Sequence, residues 1–205
     1  MAIYLNEDEF GNDAACIGFP HILLCMGVVV MTSNDLYGVH LGWPGGDSDV
    51  LIAELANLIA ADGVADDMRA LYGCCNREIR FQAAGDKKRA WKAEMAGYAA
   101  ILGFAGKIYG FCTSIIAPKD GTYVEYHPQY LQRQCRVYYK RNEKMVYAGG
   151  AAPATMHRYN HHRGMVVPFG TEPVTTGAAV TTTPSNKGHL HEVNYVLRMN
   201  SFTVP

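Results

Sequence analysis

The sequence predicts an α+β domain, a mostly antiparallel β-sheet or sandwich with two helices packed on it, and three observations carry that reading. Short apolar, β-branched runs bounded by turn formers recur along the chain, with Cys25-Met-Gly-Val-Val-Val-Met31 the most pronounced. Just two windows hold apolar residues at clear helical spacing, Ser48 to Ala61 and Asp86 to Leu102. The 205 residues, 49% hydrophobic and 18% charged, suffice for one buried core, so residues 1–205 are expected to form a single domain.

Taken in order, Cys25 to Met31 reads as a buried strand, Thr32-Ser-Asn-Asp35 as a turn, and Leu36 to Leu41 as the returning strand. Trp43-Pro-Gly-Gly-Asp47 is a loop ending in a helix start. Leu51, Leu55, Leu58 and Ile59 share one helical face, and Asp62-Gly63 stops that helix. Val64 to Leu71 fits a helical turn or a strand. Glu78-Ile-Arg-Phe-Gln82 alternates and predicts a short strand. The second helix follows from Asp86, with Trp91, Met95, Tyr98 and Leu102 on its core face and Gly103 or Gly106 at its end. Lys107 to Ile116 predicts one strand, Pro118 to Gly121 a turn and Thr122 to Tyr126 the return. Cys135 to Lys140 and Met145 to Ala148 suggest a further hairpin. Residues 149–188, rich in Gly, Thr and Pro, read as a long surface loop, and His191 to Met199 as a last strand.

Several function classes are excluded or disfavoured at once. A net charge of −1 with only short basic clusters argues against a nucleic-acid binder, and no P-loop, G-x-G-x-x-G or G-x-S-x-G motif is present. The most apolar run, Ile22 to Met31, is too short for a membrane span. The acidic start of the chain is not a secretory signal, which predicts a protein made in the cytoplasm without a cleaved signal peptide. A route of export by a specialised secretion system remains open. The six cysteines form no C-x-x-C pair and are expected to be mostly reduced core residues.

The leading chemical feature is Cys25 with His40. Returning strands place the two at the same end of the hairpin, where a thiol beside an imidazole forms a nucleophile with its base. The expected state is a thiolate–imidazolium dyad in which His40 lowers the thiol pKa. Asn34 and Asp35 lie at the far end of the hairpin and cannot orient His40. That leaves a backbone carbonyl or Ser114 for the task.

Leu24-Cys25-Met26-Gly27 and Gly38-Val39-His40-Leu41, with a helix after the histidine, resemble the CheD-like and cytotoxic-necrotizing-factor-like glutamine deamidases. The resemblance covers about the first third of the chain, and Leu23-Leu24 stands where those families usually carry Gly or Ser before the cysteine. It implies a catalytic Cys25–His40 dyad, a thioester intermediate, no cofactor, and a protein substrate offering a glutamine side chain. It also implies a bacterial effector or toxin, or a modifier of bacterial receptors.

His157, His161 and His162, with His189 and His191, supply imidazoles but no H-E-x-x-H pattern, so no metal is assigned to them. Cys16 with a distant His191 imitates papain-like and NlpC/P60-like hydrolases, but Ile17-Gly-Phe-Pro20 forbids the helix that such a cysteine opens. Tyr123, Tyr126, Tyr138 and Tyr139 are a candidate contact surface for a non-catalytic interaction or immunity protein. A cysteine peptidase or peptidoglycan amidase shares the Cys/His chemistry and differs in the amide attacked.

Overall fold

The computed structural model describes residues 3–141, 155–160, 165–168, 190–193 and 199–205. Ahead of the hairpin run three strands that the sequence reading did not assign: β1 (Ile3–Tyr4), β2 (Glu9–Asp13) and β3 (Ile17–Ile22). The hairpin itself is β4 (Met26–Met31) and β5 (Leu36–Leu41), paired antiparallel from Met26↔Leu41 to Met31↔Leu36. Thr32 closes its turn, its backbone N–H bonding the Asp35 carbonyl at 2.9 Å. Then come α1 (Ser48–Ala61), β6 (Ala70–Cys75), the one-turn α2 (Arg77–Arg80), α3 (Lys87–Leu102) and β7 (Gly106–Cys112). β8 (Thr122–Gln129), β9 (Gln134–Arg141), β10 (Met156–Asn160), β11 (Met165–Pro168), β12 (His191–Glu192) and β13 (Met199–Val204) complete the described chain.

Two sheets form. The larger has the order β11-β10-β2-β5-β4-β6-β7-β13 and the smaller β1-β3-β8-β9-β12, and among the described residues parallel pairing is confined to β1–β3 and β6–β7. The fold is α+β and mostly antiparallel. Alternation along β4 separates two cores. Met26, Val28 and Val30 pack with Leu51, Leu55 and Ile59 of α1 and Trp91, Met95 and Tyr98 of α3. Val29 and Met31 face the small sheet, meeting Ile17, Phe19, Val124, Tyr126 and Val137. Burial on both faces is why β4 reads as a continuous apolar run and not as an alternating one. α3 starts and stops as its sequence dictates, whereas the Asp47 side chain at the head of α1 makes no capping hydrogen bond. Asp86 accepts the Arg89 backbone N–H at 2.9 Å at the head of α3, and Gly103 ends it with φ of 68°.

Four sequence expectations change. Glu78 to Gln82 is not a strand: Asn76 caps the short α2 by accepting from the Ile79 N–H at 3.3 Å, which commits the following residues to a turn. The strand predicted over Lys107 to Ile116 ends at Cys112, where Thr113–Ile115 forms a 3-10 turn. That turn sends the chain to the other sheet, so β8 pairs with β3 and β9, not with β7. Cys135 to Lys140 accordingly belongs to a hairpin with β8, while Met145 to Ala148 lies outside the described residues. Within the 149–188 stretch expected to be a loop, β10 and β11 form a hairpin that adds to β2, and the rest lies outside the described residues. No helix among the described residues is long and apolar enough to cross a membrane.

A buried hydrogen bond crosses the sandwich: the Tyr72 hydroxyl on β6 accepts the backbone N–H of Cys135 on β9 at 2.8 Å. Both residues are fully buried. Tyr72→Phe leaves that N–H without its partner in an apolar site, and urea denaturation is expected to record a loss of about 1–3 kcal/mol. An unchanged unfolding midpoint would show that the bond contributes nothing.

Candidate active site

Cys25 sits in the corner that carries the chain from β3 in the small sheet to β4 in the large one. His21 opens that corner with a left-handed φ of 56°, and the Cys25 Sγ lies 3.5 Å from the His21 carbonyl oxygen. In the β4–β5 ladder Gly27 faces His40; continuing the register sets Cys25 across from Gly42. Cys25 packs in the core between the sheets, and His40, opposite Gly27, meets Phe19 of the same core. The arrangement is clamped from below by Arg80. Its buried guanidinium donates to the carbonyls of Leu24 at 3.0 Å and Gly42 at 2.8 Å, the residues flanking Cys25 and facing it. The other side of the fork pairs with Glu94 of α3 at 2.7 and 3.1 Å, so the charge is compensated where water is excluded.

His40 is held by main chain. Its Nδ1 lies 2.7 Å from the carbonyl oxygen of Leu5, just past β1. A carbonyl only accepts, so Nδ1 carries the proton and Nε2 presents a lone pair. That Nε2 is buried and has no hydrogen-bond partner among the described residues. The Phe19 ring supports the imidazole edge-on at 5.7 Å between centroids. Phe19 fits there because position 27 is glycine: a Cβ would come within 2.6 Å of the ring. Of the two orienting groups left open by the sequence, the carbonyl holds His40, while Ser114 bonds Cys112 at 2.9 Å.

The electrostatics correct one expectation. Burial pushes the Cys25 thiol up to about 11, Glu7 adds to the rise, and the backbone N–H groups of Leu23 and Cys25 with Arg80 oppose it. Burial also lowers His40, against the Leu5 carbonyl and the nearby Glu7, Glu9 and Asp8. The resting pair is a neutral thiol beside a neutral imidazole, not a thiolate–imidazolium. Desolvation disfavours both charges, and no hydrogen bond joins the two groups to offset it. A bare Nε2 is nonetheless the form a general base requires.

Cys25 is 7% exposed and His40 2%, and neither lines the surface cleft of about 300 Å³ that reaches the chain at Gly42. Glu7, Asp8, Gly42, Trp43 and Asp47 line it, and Glu7 is the acid that acts on both Cys25 and His40. Trp43, 60% exposed, offers an aromatic face at its rim.

The remaining candidates separate. All six cysteines are free and buried. Cys16 opens β3 and not a helix, and its imidazole neighbour is His127, not His191. Cys16, Glu125 and His127 bring three donor atoms together, a group that sequence reasoning missed. The signal was the Tyr-x-Glu-x-His alternation of residues 123–127, which puts all three side chains on one face of a strand. His157 stacks on Phe10 in the large sheet and His191 on Tyr139 in the small one; His161, His162 and His189 lie outside the described residues. Tyr123, Tyr126 and Tyr139 are buried, which removes most of the expected tyrosine contact surface.

Compared with known proteins, the chain matches no family model and no curated protein.

The alkylation rate of native Cys25 should rise roughly tenfold per pH unit through the neutral range and level only near its pKa of about 11. His40→Ala should not move that profile, since the neutral imidazole gives the thiolate no stabilisation. An acid-shifted plateau that His40→Ala abolishes would restore the ion pair. Arg80→Met strands the Leu24 and Gly42 carbonyls and the Glu94 carboxylate, and chemical denaturation should show a loss of about 3–5 kcal/mol.

Proposed function

We propose that this chain is a cysteine-dependent amidohydrolase that deamidates glutamine side chains of a partner protein, with Cys25 as nucleophile and His40 as general base. The observation that carries the reading is the His40 imidazole, tied at Nδ1 to the Leu5 carbonyl, left with a buried, unpartnered Nε2, and set against Phe19 of the core that also holds Cys25.

The neutral resting pair makes proton transfer part of the reaction. As the carboxamide enters, His40 Nε2 takes the Cys25 proton and the sulfur attacks the amide carbon. The oxyanion that forms is met by backbone N–H groups of the corner; those of Leu23 and Cys25 already favour negative charge at the sulfur. The tetrahedral intermediate collapses, the C–N bond breaks, and the imidazolium gives its proton to the departing ammonia. Water then attacks the thioester with Nε2 as base. The C–S bond breaks, glutamate leaves, and the thiol and imidazole return to their neutral forms. The acidic cleft favours a glutamine with a basic neighbour, and Trp43 gives the flanking chain an apolar contact. Replacing a neutral amide by a carboxylate switches a target by charge alone, which suits a bacterial effector or toxin.

Incubation with candidate substrate proteins followed by peptide mass spectrometry should find glutamine converted to glutamate, dependent on both Cys25 and His40. Cys25→Ala and His40→Ala should each lower the rate at least about a hundredfold, the range expected for losing a nucleophile or its base. A biological effect that survives Cys25→Ala would overturn the proposal in favour of a non-catalytic interaction protein.

A further inference from the structure

A second cluster lies at the other end of β3, on the small sheet. Ile17 faces Tyr126 and Gly18 faces Glu125, and extending that register sets Cys16 across from His127. The Cys16 Sγ is 3.5 Å from His127 Nε2, and the same nitrogen is 2.8 Å from Glu125 Oε2. All three donor atoms lie within 4.8 Å of one another. Cys16 and Glu125 are buried, and the His127 side chain is 35% exposed, which leaves an approach from solvent.

The use of one nitrogen for both contacts distinguishes this group from a catalytic relay, in which the thiol and the carboxylate engage opposite nitrogens of the ring. A bare Nε2 accepts from the thiol but turns its lone pair on the carboxylate. A protonated Nε2 donates to Glu125 and leaves the thiol only a glancing contact. A cation at the shared point satisfies all three lone pairs together. The surrounding groups favour this. The Tyr123 hydroxyl donates to the second oxygen of Glu125, as an outer-shell group does when it orients a ligating carboxylate. Gly18 leaves room for that hydroxyl, since a Cβ there would approach it to 2.6 Å. Tyr138 packs its ring against the imidazole at 5.0 Å, limiting its rotation.

We infer that Cys16, Glu125 and His127 bind a transition-metal ion, with zinc the best match. One thiolate, one imidazole and one carboxylate form a mixed S/N/O set suited to a borderline-soft ion that prefers tetrahedral coordination. With ligand bonds of about 2.0–2.3 Å, neighbouring donors stand about 3.3–3.6 Å apart, so the sulfur–nitrogen distance already fits and the nitrogen–oxygen pair has only to open slightly. Binding releases the Cys16 proton, and water takes the fourth position on the exposed side of His127.

The test is titration of the full chain with Co²⁺ under anaerobic conditions, followed by displacement with Zn²⁺. A thiolate-to-cobalt charge-transfer band saturating at about one equivalent is expected, because Co²⁺ adopts the same S/N/O site. Cys16→Ser should lose the band, His127→Gln and Glu125→Gln should weaken binding at least tenfold, and Tyr123→Phe should weaken it roughly 10–100-fold. Cys25→Ser should keep the band, which separates this site from the proposed nucleophile. If Cys16→Ser fails to fold, His127→Gln decides through the same affinity measurement, since its side chain is partly exposed. No band in the wild-type chain, a band that survives in Cys16→Ser, undiminished binding in His127→Gln, or a band lost in Cys25→Ser would each overturn the assignment.

Discussion

The buried Arg80 guanidinium is the interaction on which the rest of the candidate site depends. A charge with no access to water is tolerated only if every donor finds an acceptor, and here the fork joins three parts of the chain that are far apart in sequence. Leu24 fixes where β4 begins, Gly42 fixes where β5 ends, and Glu94 ties both to the middle of α3. With that end of the hairpin fastened, the ladder sets His40 opposite Gly27, and the Leu24 carbonyl holds the corner that carries Cys25. Lysine at this position carries the same charge but lacks the planar fork that reaches two carbonyls and a carboxylate together.

The site is assembled from central strands of one sheet and the edge of the other. β4 and β5 run through the centre of the large sheet with neighbours on both sides. The carbonyl that orients His40 comes instead from the residue after β1, a strand of two residues at the edge of the small sheet. Leu5 is fixed by its own N–H bond to Gly18 at 2.9 Å and by a side chain buried in the core between the sheets. The imidazole thus takes its proton arrangement from one sheet and its position from the other, and both must be docked for Nε2 to be a base.

Much of this was legible in the residues. The Cys25–His40 hairpin, both long helices and their core faces follow from period, caps and stops, because those signals act within a few residues. The Leu5 carbonyl was not legible, since a backbone oxygen has no sequence signature and any residue supplies one. The departure at Glu78 to Gln82 has a local cause: five alternating residues weigh less than one Asn76 side chain that closes the preceding turn. The neutral state of the pair was hidden for a different reason. It follows from burial of both groups, which spacing along a strand does not reveal. Glu125 and His127 were visible as an alternating pair, but joining them to Cys16 requires the β3–β8 register, a contact across more than half the chain.

The irregularity in β3 has its own consequence. Phe19 faces Val124 and Ile22 faces Thr122, so three steps along β3 match two along β8, and both Phe19 and Ile22 point into the same core. The extra residue, spent at Pro20-His21, acts as a phase shift between the two ends of the strand. Cys16 counts from one side of it and Cys25 from the other. Losing a single residue there would therefore alter the sequence little in length yet throw one cysteine out of step with the other, a change of kind that no side-chain replacement in the strand produces.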